Sequence, residues 1–560
     1  MQSTMQDIPL SLASILTYGA SVHGDTKVTT WEGGNGSHST FAEVGARAAA
    51  LAHALHDQLG ITGDQRVGTF MDNCTEHLET ILAVPAMGAV LTPLNKNLMD
   101  SQVQHMIHHA EVEVIVADAR LAGKLRGIVE SCPSVRAILF TGLGTLPQEG
   151  FPATVEIHSY EALLDGRPTV YEWPTLDENT AAALCYSTGT TGPAKPVAYS
   201  HRSMYLMAME LRTTDSFAIT EGESFLCCVP IFHVLSWGVP YAAFMAGAPL
   251  IFPGADLSPT TLADLIAATH PRVAHGVPTV WMQLIVHYLH HPPERMSLVE
   301  IYVGGSPAPP ILIRMWEERY GVDVIHVWGM TETSTVGTVS RPPAGVSGEA
   351  RWTYRISQGR FPASLEYRVV NDDKVVSATD RNQGEIQVRG NLVAARYAGS
   401  PEEQPPEQFT ADGWLRTGDV GSVTSDGYLT IHDRARDVIR SGGEWIYSAL
   451  LENLVMEAPE VVEAAVIGYP DKKWGERPLV VTVLHEPFPP TAETAVALRE
   501  RLRASLPHWM LPEYWTFVDS IDKTSVNKFD KKDLRKHLAA GEYEVIALPG
   551  PGDKAENPEK

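Results

Sequence analysis

The chain has 560 residues, of which 44% are hydrophobic and 20% are charged, a composition typical of globular proteins with several domains. With 43 Lys and Arg against 67 Asp and Glu, its formal net charge is −24. This charge argues against a nucleic-acid-binding or anionic-membrane surface, because both need clustered positive charge. Any bound nucleotide must therefore be held by locally placed lysines and arginines.

Five cysteines are too few and too irregularly spaced for a disulfide framework or a Cys-x-x-Cys metal site. They are Cys74, Cys132, Cys185, Cys227 and Cys228. Residues 1–24 contain no Lys or Arg, and no stretch approaches the roughly 20 apolar residues of a membrane span. These features predict a cytoplasmic enzyme without integral membrane contact.

The first long helix is predicted to begin at a capping box made by Thr40 and Glu43 and to continue to Gly60. Apolar residues recur along it at helical spacing, at Val44, Leu51, Leu55 and Leu59. Short apolar runs and helix-like stretches then alternate, which is typical of βα units around parallel sheets buried on both faces. The runs are 112–117, 135–140, 226–229, 249–252 and 298–303, and the helix-like stretches include 101–109 and 262–269.

The sequence changes in character over 356–423, where shorter strand-like pieces with turns predict an antiparallel or barrel-like section. A charged stretch over 433–440, followed by Ser441-Gly442-Gly443, is typical of a hinge or linker. A small domain is predicted beyond it, from helices at 448–456 and 494–506 and strands at 464–467 and 479–484.

These patterns predict an α/β fold in three parts. The parts are a large N-terminal domain over 1–433, with doubly wound βα subdomains plus the barrel-like section, a small α+β C-terminal domain over 434–540, and a disordered tail over 541–560.

Residues 186–197 read Tyr-Ser-Thr-Gly-Thr-Thr-Gly-Pro-Ala-Lys-Pro-Val and follow the apolar run 181–184. Glycine lets the backbone bring its N–H groups close to an anion, while hydroxyls and a lysine add donors and positive charge. The candidate phosphate-binding residues are Ser187, Thr188, Gly189, Thr190, Thr191, Gly192 and Lys195. A Walker loop is excluded, because it needs four residues between its glycines and a Ser or Thr where this chain has Pro196. Alone, the loop fits a polyphosphate site and a solvated turn equally well.

Three later segments add nucleotide-binding chemistry. Gly304-Gly305-Ser306 ends a buried strand before a proline-marked helix start, where open α/β sheets bind ligands. The segment Trp328-Gly329-Met330-Thr331-Glu332 combines an aromatic face for a base, a hydroxyl for a phosphate oxygen and a carboxylate for magnesium. Asp419 follows a tight turn and suits bidentate bonds to ribose hydroxyls.

In this order, the motifs resemble those of the adenylate-forming superfamily, which contains acyl-CoA synthetases, luciferases and peptide-synthetase adenylation domains. The matching segments are 187–197, 304–307, 328–333, 414–419 and 433–444, with a terminal Lys528. Residues 229–238 and 441–446 most resemble medium- and long-chain fatty acyl-CoA synthetases. The resemblance implies two half-reactions that use ATP, Mg²⁺ and CoA. A carboxylate attacks the α-phosphate of ATP to give an acyl-adenylate and pyrophosphate, and the CoA thiol then displaces AMP.

The resemblance also implies a role for each nucleotide-binding residue. The loop from Ser187 to Lys195 holds the β- and γ-phosphates, and adenine lies between Gly304-Gly305-Ser306 and Trp328-Gly329-Met330. Thr331 contacts the α-phosphate, Glu332 anchors magnesium, and Asp419 binds the ribose hydroxyls with help from Arg434. Lys528 bridges the α-phosphate and the attacking carboxylate. Its positive charge thereby neutralises two anions that otherwise repel each other.

A mobile small domain is implied as well. Arg436 stands at the family's hinge position, about which the small domain rotates to bring Ser441, Gly442 and Gly443 to the pantetheine of CoA. His233 lies where the family has a His or an aromatic residue near the carboxylate. Trp237 resembles a gate at the mouth of the acyl tunnel, beside Gly238, although plain core packing explains it equally well.

Two residues depart from the family pattern. Pro196 replaces the glycine that usually follows the loop lysine, and Asn527 replaces the glycine before the catalytic lysine. Proline removes an N–H donor and fixes φ, whereas asparagine tolerates left-handed backbone better than most residues. These departures keep open the hypothesis of a non-catalytic nucleotide or acyl binder.

The motifs also leave the acceptor and the acid open. The enzyme could pass the activated acid to a carrier-protein thiol, an amine or another small nucleophile instead of CoA, and the motifs do not identify the acid. A homodimer is a hypothesis, because homodimers are common among the resembling synthetases.

Two sets of histidines have the spacing of a helical metal site but are expected to be solvated or capping residues. The first set is His105, His108 and His109, and the second is His287, His290 and His291.

Overall fold

A computed structural model describes residues 1–142, 146–147, 149–187, 194–335, 337–379, 382–399, 408–442, 444–523 and 529–549. The helices are α1 (Leu12–Val22), α2 (Phe41–His53), α3 (Thr75–Ala86), α4 (Asp100–Ala110), α5 (Ala122–Val129), α6 (Tyr160–Leu164), α7 (His201–Leu211), α8 (Val234–Trp237), α9 (Val239–Ala246), α10 (Pro259–Thr269), α11 (Pro278–His290), α12 (Pro310–Tyr320), α13 (Gly348–Ile356), α14 (Ser448–Met456), α15 (Ala492–Leu502) and α16 (Lys531–Ala539).

The strands are β1 (Lys27–Glu32), β2 (Asn35–Thr40), β3 (Arg66–Phe70), β4 (Val90–Pro93), β5 (Val112–Asp118), β6 (Ala137–Thr141), β7 (Glu156–Ser159), β8 (Ala181–Ser187), β9 (Lys195–Ser200), β10 (Phe225–Cys227), β11 (Leu250–Phe252), β12 (Val273–Gly276), β13 (Glu300–Val303), β14 (Asp323–Trp328), β15 (Thr338–Val339), β16 (Gly359–Arg360), β17 (Leu365–Asn371), β18 (Lys374–Val376), β19 (Gly384–Gly390), β20 (Leu415–Val423), β21 (Tyr428–Arg434), β22 (Ile439–Ser441), β23 (Glu444–Ile446), β24 (Val461–Asp471), β25 (Gly475–Leu484), β26 (Tyr514–Phe517) and β27 (Ile546–Ala547).

The first sheet has the order β7-β6-β5-β3-β4-β8-β9 and is parallel except for the β8–β9 hairpin. Alternate residues of β5 enter two different cores, Val114 and Val116 on one face and Ile115 and Ala117 on the other. A sheet that is buried on both faces explains why its strands appear in the sequence as continuous apolar runs.

The second sheet begins with the order β2-β1-β11-β10-β12-β13-β14, in which β10 to β14 run parallel. At β14 it continues through antiparallel strands in the order β15-β16-β21-β20-β19-β17-β18. This confirms the predicted combination of doubly wound subdomains and an antiparallel section, and it places the end of β14 where the two meet.

The small C-terminal unit has its own sheet, β23-β22-β25-β26-β27 with β24 beside β25, and its own apolar core around Trp515. One predicted boundary needs correction. The sequence predicts a disordered tail from residue 541, but β27 pairs with β26 and the Pro549 carbonyl accepts a hydrogen bond from Arg499 at 2.7 Å. The ordered domain therefore extends to at least residue 549.

The predicted capping box is present, since the Glu43 N–H donates to Thr40 Oγ1 at 3.2 Å and the Thr40 N–H to Glu43 Oε2 at 2.8 Å. The helix predicted to reach Gly60 instead changes at Ala54–Gln58 into a π-helical turn. Among the described residues, no helix has both the length and the apolar character that crossing a bilayer requires.

Candidate active site

The predicted phosphate loop connects the two strands of the β8–β9 hairpin. Ser187 ends β8 and is the register partner of Lys195, which begins β9. Both ends of the loop are therefore fixed by strand pairing. The remaining predicted loop residues, Thr188, Gly189, Thr190, Thr191 and Gly192, lie outside the described residues.

Pro196, the unexpected residue of this loop, lies on the edge strand of the first sheet. It pairs with Tyr186, and its carbonyl accepts a hydrogen bond from the Ala398 N–H at 2.9 Å. Edge strands are where a sheet tolerates proline, because the missing N–H leaves no gap in a ladder. The hairpin therefore accommodates the proline, which also anchors the segment that carries Tyr397.

Tyr397 joins two of the predicted motifs. Lys195 Nζ lies 5.3 Å from the centroid of its ring, a cation–π distance. Its hydroxyl donates to Glu332 Oε1 at 2.5 Å, and the Glu332 carbonyl accepts from the Ala394 N–H at 2.8 Å. The predicted phosphate lysine and the predicted magnesium carboxylate are thus held by one buried tyrosine, which sequence reasoning missed.

Thr331 is fixed through its backbone. The buried Tyr199 hydroxyl donates to the Thr331 carbonyl, and the threonine side chain itself is half-buried. Because Tyr199 lies on β9, the α-phosphate residue predicted from one motif is tied to the phosphate hairpin of another. Met330, also half-buried, donates its N–H to Thr333 Oγ1 at 3.0 Å.

Trp328, Asp419 and Arg434 form one hydrogen-bonded group. The Trp328 indole N–H donates to Asp419 Oδ2 at 2.8 Å, and Arg434 Nη1 lies 2.9 Å from Asp419 Oδ1. Asp419 is only 3% exposed, and Asp419 and Arg434 are register partners of β20 and β21. The predicted adenine and ribose residues therefore come together from three separate segments.

Backbone packing explains two glycines in these motifs. A Cβ on Gly329 would lie 1.4 Å from the Thr335 carbonyl oxygen, so no other residue fits there. A Cβ on Gly304 would lie 2.7 Å from the Val327 carbonyl oxygen and 3.1 Å from Trp237 Cη2. Gly305, with φ of 81°, and the half-buried Ser306 complete the turn after β13.

The predicted acyl-binding segment has left-handed backbone. Val234, Leu235, Ser236 and Trp237 have φ between 46° and 56°, and Gly238 follows with φ of 75°. Each non-glycine residue in this conformation costs roughly 1–2 kcal/mol, so the surrounding contacts must stabilise the turn. His233 begins it, half-buried, with its ring 4.9 Å from that of Phe232.

His275 on β12 supplies such contacts, and sequence reasoning missed it. Its Nδ1 accepts from the Val229 N–H at 3.3 Å, so the hydrogen resides on Nε2, which lies 3.1 Å from both the carbonyl and the hydroxyl of Ser236. The Ser236 hydroxyl donates to the Val229 carbonyl at 2.7 Å. Burial lowers the pKa of His275 to about 4, so the ring stays neutral in this network at neutral pH.

Trp237 connects the predicted acyl-binding segment with the glycine turn after β13. Its ring packs edge-to-face against His275 at 5.2 Å and contacts Phe217 at 6.5 Å, and it is 8% exposed. Its contact with Gly304 joins the two regions. In this structure Trp237 therefore packs as a core residue.

Two contacts flank the predicted hinge, one across the predicted domain boundary at residue 433 and one within the small domain. The buried Asp433 accepts from the Ser448 hydroxyl at 2.7 Å, and Asp437 pairs with Arg535 at 2.6 Å. The half-exposed Arg436 lies between them, with its Nε 3.8 Å from Asp437 Oδ2. Burial also raises the pKa of Asp433.

The predicted CoA loop begins at the buried Ser441. Its hydroxyl accepts from Arg477 Nη1 at 2.9 Å, and the Gly442 N–H donates to the Trp474 carbonyl at 2.8 Å. Arg477 is itself buried and paired with Glu513 at 3.0 Å. Gly443 and Lys528 lie outside the described residues.

Two sequence profiles match the chain. Residues 17–398 match that of the AMP-binding enzyme family, and residues 450–528 match that of the AMP-binding enzyme C-terminal domain. The chain belongs to the AMP-binding enzyme family. The family predicted from the five ordered motifs is thereby confirmed.

Curated relatives cover nearly the whole of this AMP-binding enzyme. A 3-methylmercaptopropionyl-CoA ligase of Ruegeria lacuscaerulensis is 35% identical over 96% of this chain and 98% of its own length. A medium-chain-fatty-acid–CoA ligase of Ectopseudomonas oleovorans is 36% identical over 96% and 97%. A long-chain-fatty-acid–CoA ligase of Thermus thermophilus is 36% identical over 95% and 96%.

Solved structures confirm the fold. The anthranilate CoA ligase AuaEII in complex with anthranoyl-AMP aligns with a TM-score of 0.83 over 97% of this chain and all of its own, at 23% identity. ATP-bound MatB from Rhodopseudomonas palustris aligns with a TM-score of 0.78 over 95% and 99%, at 24% identity. A large N-terminal and a small C-terminal domain are therefore the architecture of this family member.

Proposed function

We propose that this AMP-binding enzyme is an ATP-dependent acyl-CoA ligase that converts a hydrophobic carboxylic acid into an acyl-adenylate and then into a CoA thioester. The observation that carries the proposal is the junction at Tyr397, where Lys195 and Glu332 meet beside the phosphate hairpin. A lysine and a buried carboxylate suit an ATP from which Mg²⁺-bound pyrophosphate departs. The CoA ligases at 35–36% identity over more than nine-tenths of the chain support CoA as the acceptor.

The nucleoside of ATP is assigned to the group of Trp328, Asp419 and Arg434. Arg434 and the indole N–H hold the Asp419 carboxylate in one orientation, so its oxygens are preorganised as acceptors for the two ribose hydroxyls. The glycine turn at Gly304 and Gly305 brings backbone close to the opposite side of the base. With the nucleoside placed in this way, Thr331 and Lys195 would contact the phosphates of ATP.

Magnesium is assigned to Glu332. Its carboxylate and the neighbouring Thr331 hydroxyl are hard oxygen donors, which suit Mg²⁺ together with substrate phosphates. When bound, the ion would neutralise charge that builds on the leaving pyrophosphate. The hydrogen bond from Tyr397 orients the carboxylate for this role.

Replacing Tyr397 with Phe removes that hydrogen bond and keeps the ring beneath Lys195. We expect the Mg²⁺ concentration that half-saturates adenylation to rise about tenfold, because outer-shell partners of a metal ligand typically change metal affinity 10–100-fold. The acid KM should stay within about twofold. Direct Mn²⁺ titration by electron paramagnetic resonance, with ATP present, should show the same weakening. An unchanged metal dependence would contradict the role of Tyr397.

The domain division at residues 433 and 434, with Arg436 as hinge, remains part of the proposal. Lys528 would serve adenylation, and rotation would then bring Ser441, Gly442 and Gly443 to CoA. The contact of Asp433 with Ser448 crosses this hinge, so rotation must break it, whereas the contact of Asp437 with Arg535 lies within the small domain and would move with it.

The sequence also left open an acceptor other than CoA. Purified enzyme given ATP, Mg²⁺ and a panel of acids, with and without CoA, separates the two functions. The proposal predicts equal amounts of AMP and acyl-CoA, measured by mass spectrometry. Acid-dependent AMP formation without any acyl-CoA would favour the other acceptor.

The identity of the acid is not fixed by the relatives. Their names include 3-methylmercaptopropionyl-, medium-chain- and long-chain-CoA ligases at nearly equal identity. The prediction of a medium- or long-chain fatty acid therefore depends on the side chains that line the acyl region.

A further inference from the structure

We propose that the acid is short, because an aromatic floor formed by Tyr302, Phe217 and Phe225 closes the acyl region a few carbons beyond Gly304. The inference rests on the proposed function, since it takes the contact between Trp237 and Gly304 as the place where the acyl chain enters. It narrows the substrate to carboxylic acids with an apolar tail of about five carbons or fewer, the length that two residues of strand span.

The depth of the region follows from the register of β13. Side chains two residues apart on a strand share a face, so Tyr302 is the next residue behind Gly304 on the face that Trp237 covers. Two residues of strand span about 7 Å, which accommodates about five carbon atoms of an extended alkyl chain. An acyl group that displaces Trp237 from Gly304 therefore meets the Tyr302 ring at this depth.

The floor is a stack of buried rings. Phe217 and Tyr302 lie face to face with centroids 4.0 Å apart and an interplanar angle of 8°, and Phe225 lies almost parallel to Tyr302 at 6.4 Å. All three are at most 1% exposed. The strand neighbours of Tyr302, His275 and Ile325, are buried too. The floor therefore extends across three adjacent strands.

Polar contacts hold the Tyr302 ring in place. Its hydroxyl lies 2.7 Å from the Phe217 carbonyl and 2.7 Å from Glu300 Oε2, and Arg341 donates to it. Arg341 also forms two hydrogen bonds to the Glu300 carboxylate, at 2.9 and 2.7 Å. Rotating the ring away would break the hydrogen bonds of the Tyr302 hydroxyl, including the one to the buried Phe217 carbonyl.

A longer chain meets a partly buried ion pair beyond this floor. The ion pair of Glu300 and Arg341 lies directly behind Tyr302 and is only about one-quarter exposed. Arg341 also lines a cleft with the charged residues Glu210, Asp215 and Arg360, beside Ser216, Val339, Phe361 and Pro362. Methylene groups pushed through this layer would separate a partly buried ion pair without replacing its hydrogen bonds.

The test compares unbranched acids from propanoate to hexadecanoate by acid-dependent pyrophosphate exchange in the full-length enzyme. Wild type should have its highest kcat/KM at or below about six carbons and should lose at least about 100-fold by dodecanoate, because each misplaced methylene in a closed pocket costs roughly tenfold or more. Tyr302→Val should raise kcat/KM for octanoate at least about tenfold and leave the KM for ATP unchanged, because it removes the ring and keeps the Glu300–Arg341 pair as the new end of the region. The control is Tyr160→Val on α6, since Tyr160 is equally buried and donates to Glu79 at 2.8 Å but is not part of the ring stack. Its chain-length profile should match wild type.

The wild-type profile decides the inference even if Tyr302→Val fails to fold. An optimum at octanoate or longer in wild type would overturn the inference and leave the proposed function standing. A folded Tyr302→Val enzyme with an unmoved profile would also overturn it. No exchange with any acid would overturn the proposed function and the inference together.

Discussion

Replacing Lys528 with Ala is expected to lower acid-dependent pyrophosphate exchange about 1,000-fold while thioester formation from supplied acyl-adenylate stays within about threefold of wild type. The lysine is assigned to the approach of two anions, the carboxylate and the α-phosphate, which repel at bonding distance unless a cation lies between them. Once the adenylate exists, that repulsion is absent. The two half-reactions should therefore respond differently.

The matched control is Lys523→Ala, which removes a lysine that pairs with Glu463 on the surface of the same domain. Both half-reactions should be unaffected in this variant, because exposed ion pairs contribute little. Separate assays of the two half-reactions, by pyrophosphate exchange and by acyl-CoA formation from acyl-adenylate, provide the measurement. Equal loss of both in Lys528→Ala would contradict the assignment and the domain rotation.

Replacing Asp419 with Asn is expected to raise the KM for ATP about 100-fold. The aspartate accepts from Trp328 on one oxygen and from Arg434 on the other, and an asparagine must turn its NH₂ group toward one of these donors. It also loses the charge that strengthens bonds to the ribose hydroxyls. The free energy of unfolding should fall by about 1–3 kcal/mol, the usual cost of a buried unpaired polar group.

Asp323→Asn is the control for this change. Asp323 begins β14, the strand that Trp328 ends, and it pairs with the buried Arg355. The control should therefore lose stability without a change in the KM for ATP. Steady-state kinetics and thermal unfolding of both variants test the distinction, and an unchanged ATP KM in Asp419→Asn would refute the ribose assignment.

The sequence predicted those parts of the fold that repeat a local pattern. The run 112–117 became β5, which ends one residue later, and the stretch 448–456 became α14 with the same bounds. Continuous apolar runs and helical periodicity are local properties of the sequence. The tail boundary was wrong, since the pairing of β27 with β26 depends on a strand some thirty residues away along the chain. The end of α2 was also displaced, by a π-helical turn that its apolar spacing does not reveal.

In the candidate active site, too, the residues within local sequence motifs could be predicted, whereas those that act through long-range contacts could not. Trp328, Asp419 and Arg434 could be predicted because each lies in a recognisable motif, and the structure brings all three together. Tyr397 and His275 could not be predicted, because neither lies in such a motif and each acts through contacts between distant segments. A buried tyrosine or histidine is chemically conspicuous only once its partners are known.

Acid-dependent exchange of labelled pyrophosphate into ATP is the most direct test of the central claim, because it reports reversible acyl-adenylate formation without requiring CoA. With purified enzyme, Mg²⁺ and a short unbranched acid, we expect exchange that requires the acid, continues without CoA and falls about 1,000-fold in Lys528→Ala. Exchange that is absent for every acid tested, or that proceeds equally well without an acid, would contradict the account.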